Sequence, residues 1–223
     1  NVAMHSATEI RDAMASIYGP VSHIHTAMPP FHLGGPCVDV SEHPQPDGSI
    51  VYATLGASQA FEVGGMEMIL HAKAPDPRLP ELMARLGGST RSRRYVASST
   101  LPLAGPSGSE VPFDAVGFLM AGRYLAVGRD RLLLLQVVGL TAEELEVAHV
   151  ESLYTVEAAF WLDGVFRVAE PGRPSSPALG TMPSVHPPTK ALAQHSNLSR
   201  EVVEAIVAAD FDTVEMLRFQ FPE

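Results

Sequence analysis

From Arg131 to Val138 the chain reads Arg-Leu-Leu-Leu-Leu-Gln-Val-Val, its longest aliphatic run. The run falls far short of the roughly 20 apolar residues a membrane helix needs, and it has the length and content of a strand buried on both faces. It therefore predicts a central strand. Gly139 and Leu140 follow, and then Thr141-Ala142-Glu143-Glu144 has the spacing of a capping box. In that device a hydroxyl accepts from the third helical N–H while the carboxylate reaches back to the cap residue's own N–H. Strand, tight turn and acidic helix are expected in that order. With 46% hydrophobic and 18% charged residues in a length of 223, the chain can pack a sizeable core around such a strand, which excludes a wholly disordered protein.

Other local signals extend the pattern. Ser6-Ala7-Thr8-Glu9 is a second capping box, and Ile10, Ala13, Met14, Ile17 and Tyr18 recur at helical intervals until Gly19-Pro20 ends the run. Val38-Asp39-Val40 alternates as a strand does, and Pro46-Asp47-Gly48 marks a turn into Ile50–Leu55, whose β-branched and aromatic content predicts a buried strand. Met66–His71 is a second strand, its hairpin partner or neighbour. Leu79, Leu82, Met83 and Leu86 predict a short helix with Gly87-Gly88 as its stop. Residues 95–129 read as several short strand-like pieces, Val116–Met120 among them, broken by proline and glycine. Val156–Leu162 predicts a further helix ending at Asp163-Gly164. From Pro171 to Pro188, six of eighteen residues are proline, the composition of a linker or an extended covering segment. The expected architecture is α+β. Residues 1–170 form the domain, and residues 171–223 hold a Pro-rich segment and a C-terminal helix, capped by Asn197 or Ser199, that packs on the domain or on a partner.

Charge and cysteine content narrow the function. The 25 acidic residues against 15 basic ones give a net charge of -10, which repels phosphate backbones and argues against nucleic acid as a partner. Nothing is long enough to span a membrane. The single cysteine, Cys37, rules out an internal disulfide and fits a reducing compartment, so a cytoplasmic location is expected. The chain begins with Asn1 rather than Met, consistent with a trimmed N-terminus.

Candidate chemistry is sparse. His23, His25, His32 and His43 fall close to Cys37, and strand alternation puts His23 and His25 on one face, with His32 or Asp39 as a third ligand. A metal-dependent enzyme built on His23, His25 and His32 is thus the alternative reading, although the spacing matches no zinc pattern and histidines in Pro-rich stretches are mostly satisfied by solvent or backbone. Cys37, between Pro36 and Val38, reads better as a small buried residue than as a thiolate nucleophile. Gly56-Ala57-Ser58-Gln59-Ala60 has the outline of a nucleophile elbow but ends in alanine where glycine belongs. Phosphate-loop and dinucleotide-binding glycine patterns are missing from the sequence. Arg91, Arg93 and Arg94 read as solvated charges, and Glu143 and Glu144 as first-turn acids that offset the helix dipole. Glu151, Glu157 and Asp163 give no carboxylate pair for glycoside hydrolysis. No catalytic residue and no cofactor is assigned.

Several of these pieces, read in order, form one pattern: His32-Leu33-Gly34-Gly35-Pro36, the strand around Val38-Asp39-Val40, Val51–Ser58, Phe61 through Gly65 to Leu70, Pro80–Leu86, and Leu133 through Gly139 to Leu145. Over about residues 30–150 this order resembles the Suppressor of fused domain, in its stand-alone bacterial form. The resemblance implies a mixed, mostly antiparallel sheet flanked by helices. It also implies a non-enzymatic, protein-binding role, as an immunity or regulatory protein that sequesters another protein, for instance a toxin domain. By position Glu67 matches an acidic residue on a family strand and Glu62 lies nearby, so both are candidate partner contacts; the alternative for Glu67 is an exposed strand carboxylate with no role. Nothing in the sequence fixes the oligomeric state.

Overall fold

Ser6 caps the first helix as its sequence requires. Its hydroxyl accepts from the Glu9 N–H and the Glu9 carboxylate returns to the Ser6 N–H, opening α1 over Ala7–Tyr18. The structure, a computed structural model, describes residues 5–26, 38–60, 65–90, 95–103, 112–165 and 168–181. The predicted strands follow as β2 (Asp39–Pro44), β3 (Ile50–Leu55) and β4 (Met66–Ala72), preceded by a three-residue β1 (His23–His25). Then come α2 (Arg78–Ser89), β5 (Thr100–Pro102), β6 (Ala115–Val127), β7 (Asp130–Leu140), α3 (Ala142–Val150), α4 (Leu153–Leu162) and the two-residue β8 (Val168–Ala169). The capping box at Thr141 and Glu144 forms as expected. No helix among the described residues is long and apolar enough to cross a membrane.

The strands make one mixed, eight-stranded sheet in the order β1-β2-β3-β4-β7-β6-β5. The aliphatic run is β7, interior to the sheet, antiparallel to β6 and parallel to β4. β4 pairs with β7 only from Met66 to Ile69; beyond that β7 diverges and β8 takes its place beside His71 and Ala72. The sheet therefore forks, and the fork is closed by residues late in the chain.

Both faces of the sheet are covered, which is why β3 and β7 carry apolar side chains at successive positions rather than alternating with polar ones. On one face Ile10 and Met14 of α1 pack against Val51, Ala53, Leu125, Leu132 and Leu134. Farther along the same face, Leu153, Val156 and Phe160 of α4 cover Ala115, Leu119, Val138 and Leu140. On the other face Leu79, Leu82, Met83 and Leu86 of α2 meet Tyr52, Met68, Leu70, Leu135 and Val137.

Two expectations are corrected. Gly87-Gly88 does not stop α2, which runs through both to Ser89. Gly87 instead allows the helix to lie on the sheet: a Cβ there would overlap the Val38 Cγ2 and stand 3.1 Å from the Thr54 Cγ2. Residues 115–127 are one strand rather than several pieces. Gly117 yields space to Leu153, whose Cδ1 would lie 2.7 Å from an added Cβ. Gly122, with φ of 74°, sits in an irregularity between Met120 and Tyr124 that bends the strand without ending it. Gly87→Ala should lower stability in urea unfolding by about 1–3 kcal/mol, whereas Gly180→Ala, where nothing lies within 4 Å, should change it by less than about 0.5 kcal/mol.

Candidate binding site

Glu67 is the second residue of β4 and is fully buried. β3 ends at Leu55, Gly56 turns the chain at φ of 121°, and a 3₁₀ turn over Ala57–Ala60 folds back over the Glu67 carboxylate. Its Oε1 accepts from the Gly56 N–H at 3.1 Å, the Ser58 N–H at 3.0 Å and the Ser58 hydroxyl at 2.6 Å. Its Oε2 accepts from the Thr54 hydroxyl at 2.6 Å and the Ala57 N–H at 3.2 Å. Thr54 in turn accepts from the Met68 N–H at 2.9 Å, so the hydroxyl proton is directed at the carboxylate. Burial pushes the Glu67 carboxyl above its ordinary value, and the Ser58, Thr54 and backbone donors oppose that shift. A carboxylate offers about four lone-pair sites, and these donors use them. Glu67 is accordingly neither exposed nor available to abstract a proton. It ties β4 to Thr54 near the end of β3 and to the turn at Gly56–Ser58; Glu62 lies outside the described residues. Sequence reasoning placed Glu67 on its strand but missed its donors: Thr54 was read only as part of the strand Ile50–Leu55, and Gly56 and Ser58 as a failed nucleophile elbow.

A second buried carboxylate fastens the Pro-rich segment. Glu144, the helix-capping acid of α3, is fully buried and receives both arms of the Arg173 guanidinium at 2.6 and 2.8 Å, together with the Ser176 N–H at 3.0 Å and the Thr141 N–H at 2.9 Å. Arg173 also donates to the Gly139 carbonyl at 3.0 Å and stands 4.6 Å over the Phe160 ring. The dipole explanation for Glu144 is thus too weak: its larger role is the ion pair. Ser176 and the Ala178 N–H both donate to Asp163, which closes Pro177–Thr181 over the end of α4. Residues 171–181 are therefore a cover on the domain. Beside them a cleft of about 180 Å³ lies between Phe113, Asp114, Leu140, Thr141, Glu170 and Arg173.

The histidines are drawn into polar clusters. His23 and His25 share a face of β1, ring centroids 4.6 Å apart, and the His25 Nε2 lies 3.0 Å from the Glu42 carboxylate. Among the described residues no group of three His, Cys, Asp or Glu side chains could hold a metal ion; His32 and Cys37 lie outside those residues, as do Arg91, Arg93, Arg94 and the C-terminal helix expected after Asn197. His43 is buried, its Nδ1 2.8 Å from the Gly19 carbonyl and its Nε2 2.9 Å from the Ser41 hydroxyl. The carbonyl fixes the proton on Nδ1, leaving Nε2 to accept from Ser41. That is the order of a nucleophile, a base and an orienting group, but Ser41 is fully buried and meets no substrate; the chain of bonds docks the end of α1 on β2. At the next turn Ser49 stands between Asp47, at 2.5 Å, and His71, at 2.6 Å. Here the serine donates to the carboxylate and accepts from the imidazole, the reverse of what nucleophile activation needs.

Three measurements check this reading. Glu67→Gln sets an amide donor against N–H and O–H donors and should cost about 1–3 kcal/mol in urea unfolding. Arg173→Ala strands a buried carboxylate and should cost about 3–5 kcal/mol, with hydrogen exchange rising across Glu170–Thr181. Burial holds the His43 pKa below its ordinary value, so the folded state favours the neutral ring. Stability should be greatest above the unfolded value of about 6.5 and fall as pH drops through the lower folded value. His71 is shifted the same way by burial, so His43→Gln should flatten, without abolishing, the loss of stability measured between about pH 7.5 and 5.5.

No family model and no curated protein sequence matches the chain. Solved structures do. The crystal structure of the Sufu–Fu complex matches with a TM-score of 0.60 and 15% identity, over 88% of this chain and 99% of that one. Drosophila Suppressor of Fused matches with a TM-score of 0.58 and 15% identity, over 85% of this chain and 53% of that one, so this chain spans about half of its length. A Suppressor of fused homologue from Neisseria gonorrhoeae matches with a TM-score of 0.57 and 16% identity, over 78% of this chain and 98% of that one. The mixed sheet with its flanking helices is thus similar as a whole to these structures: the chain has the fold of the Suppressor of fused proteins.

Proposed function

We propose that the chain is a non-enzymatic protein-binding module that sequesters a partner protein in the cytoplasm. The observation that carries this reading is the match to nearly the whole of a chain from a complex of Sufu with Fu, another protein. One further feature favours it. The constellations with the outline of catalytic machinery, around His43 and Ser49, use their hydrogen bonds to fasten the fold. A regulatory or immunity role follows if the partner is inactive while held, and a net charge of -10 would speed encounter with a basic toxin domain.

Purified full-length protein used as bait in lysate from the organism that encodes it should retain one protein in stoichiometric amount, and the pair should co-elute with the summed mass by light scattering. Absence of any stoichiometric partner would overturn the binding role. The immunity role has its own test: co-expression should restore growth to cells producing a toxin encoded beside it, and growth unchanged by co-expression rejects that role while leaving the binding role intact.

A further inference from the structure

Three parts of the chain wall the cleft beside the Pro-rich cover. Phe113 and Asp114 lead into β6, Leu140 and Thr141 join β7 to α3, and Glu170 and Arg173 stand where the chain enters the cover. The floor is apolar: Phe113 and Leu140 are both buried. The Phe113 ring sits directly on the β7 backbone at Gly139, where an added Cβ would stand 2.4 Å from its Cδ1. The mouth is acidic, with Asp114 exposed and Glu170 half-exposed.

A turn sets the charges of the cover. Glu170-Pro171-Gly172-Arg173 has Gly172 at φ of 79° and the Arg173 N–H donating to the Glu170 carbonyl at 3.3 Å, the form of a type II turn. Arg173 points inward to Glu144, while Glu170 meets the exposed Lys73 Nζ at 2.9 and 3.0 Å. A guanidinium beside a helix N-terminus would suit an anion, but here both are already satisfied. Asp114 Oδ2 accepts from the Ala142 N–H at 2.9 Å and the Thr141 hydroxyl from the Glu144 N–H at 3.3 Å. Four of the five N–H groups of Arg173 go to Glu144, Gly139 and Pro174. Acceptors are what remain: among the described residues nothing donates to the Asp114 Oδ1, and Glu170 is engaged only by a solvent-exposed lysine. At about 180 Å³ the cleft is smaller than the roughly 300–1,000 Å³ of small-molecule sites, and it has room for one side chain.

We propose that this cleft receives a single arginine side chain of the partner protein, its stem against Phe113 and Leu140 and its guanidinium on Asp114 and Glu170. The proposal rests on the reading of the chain as a protein-binding module and names the group that the module grips. Arginine lays an apolar stem on apolar surface while its head stays at the polar rim. Its planar fork meets carboxylates in paired hydrogen bonds, and it is among the side chains that most often carry binding energy when seated in an interface pocket. A net charge of -10 draws a basic partner toward such a rim.

The test uses the full chain, isotope-labelled, with N-acetyl-arginine methylamide as probe and amide NMR shifts as the readout. Saturable shifts should be confined to amides around the cleft, Ala142 among them because its N–H is bound to Asp114. The citrulline counterpart, nearly the same in shape but neutral, should bind at least about tenfold more weakly. Asp114→Asn keeps an oxygen for the Ala142 N–H but removes the charge; it should weaken arginine binding at least about fivefold at an unchanged thermal midpoint. Lys73→Gln releases Glu170 and should tighten binding about twofold to fivefold, a gain that damage to the fold cannot imitate. Shifts that are absent, or spread evenly over the acidic surface, overturn the proposal. Equal binding of the citrulline probe does so as well, as does unchanged affinity in Asp114→Asn. If inorganic phosphate binds at the same amides more tightly than the arginine probe, the cleft is an anion site and the proposal fails. Retention of the same stoichiometric partner, with equal affinity, by wild type and Asp114→Asn would remove the cleft as a contact while leaving the protein-binding role standing.

Discussion

β4 and β7 lie side by side and point the same way, and a parallel pair cannot be closed by a tight turn. The chain must return to its starting edge between them. It does so by laying α2 across one face and then adding β5 and β6 beyond β7, while β3 occupies the other side of β4. Both parallel strands thereby become interior, and an interior parallel strand needs cover on each face. α1 and α4 supply it on one side and α2 on the other. The aliphatic run Leu132–Val138, with Gln136 as its one polar residue, is the sequence consequence of that position.

Within this apolar frame the protein surrounds two of its buried carboxylates, Glu67 and Glu144, with donors. Glu67 is served by two hydroxyls and by the backbone of a 3₁₀ turn, with no cation in contact among the described residues; Glu144 is served by a guanidinium. The difference matters. Hydroxyl and N–H donors hold a carboxylate by geometry, so Glu67 fixes the conformation of Gly56–Ser58 more than it adds attraction. The Arg173 pair joins segments 29 residues apart, so it acts as a fastener between elements. Neither group faces solvent, and both explain why conspicuous acids need not be contact residues.

What the sequence disclosed depended on the range of the physics involved. The boxes at Ser6 and Thr141 were legible because cap and partner are three residues apart. The strand at Ile50–Leu55 and the run at Leu132 were legible because burial on both faces writes itself into consecutive side chains. Gly87 was misread because its reason is tertiary: the space it vacates belongs to Val38 and Thr54. Gly117 and Gly122 made one bent strand look like fragments for the same reason. Glu67 carried no local mark of burial, since its donors come from the strand before it. Arg173 sits in a proline-rich stretch whose composition reads as linker, and only the distant Glu144 makes it part of the domain.

The fork in the sheet has a bearing on how the chain is made. Polypeptides emerge from the ribosome amino end first and begin to fold as they do so. Residues 66–144 contain β4, β7 and the Glu144 carboxylate, yet the pieces that finish them, β8 and Arg173, come later in the chain, within residues 168–173. A nascent chain stalled between them would present an open sheet edge at His71 and Ala72 and a carboxylate without its counter-ion. Arrival of Val168–Arg173 supplies both at once, so the domain as described can close only after these residues have been made.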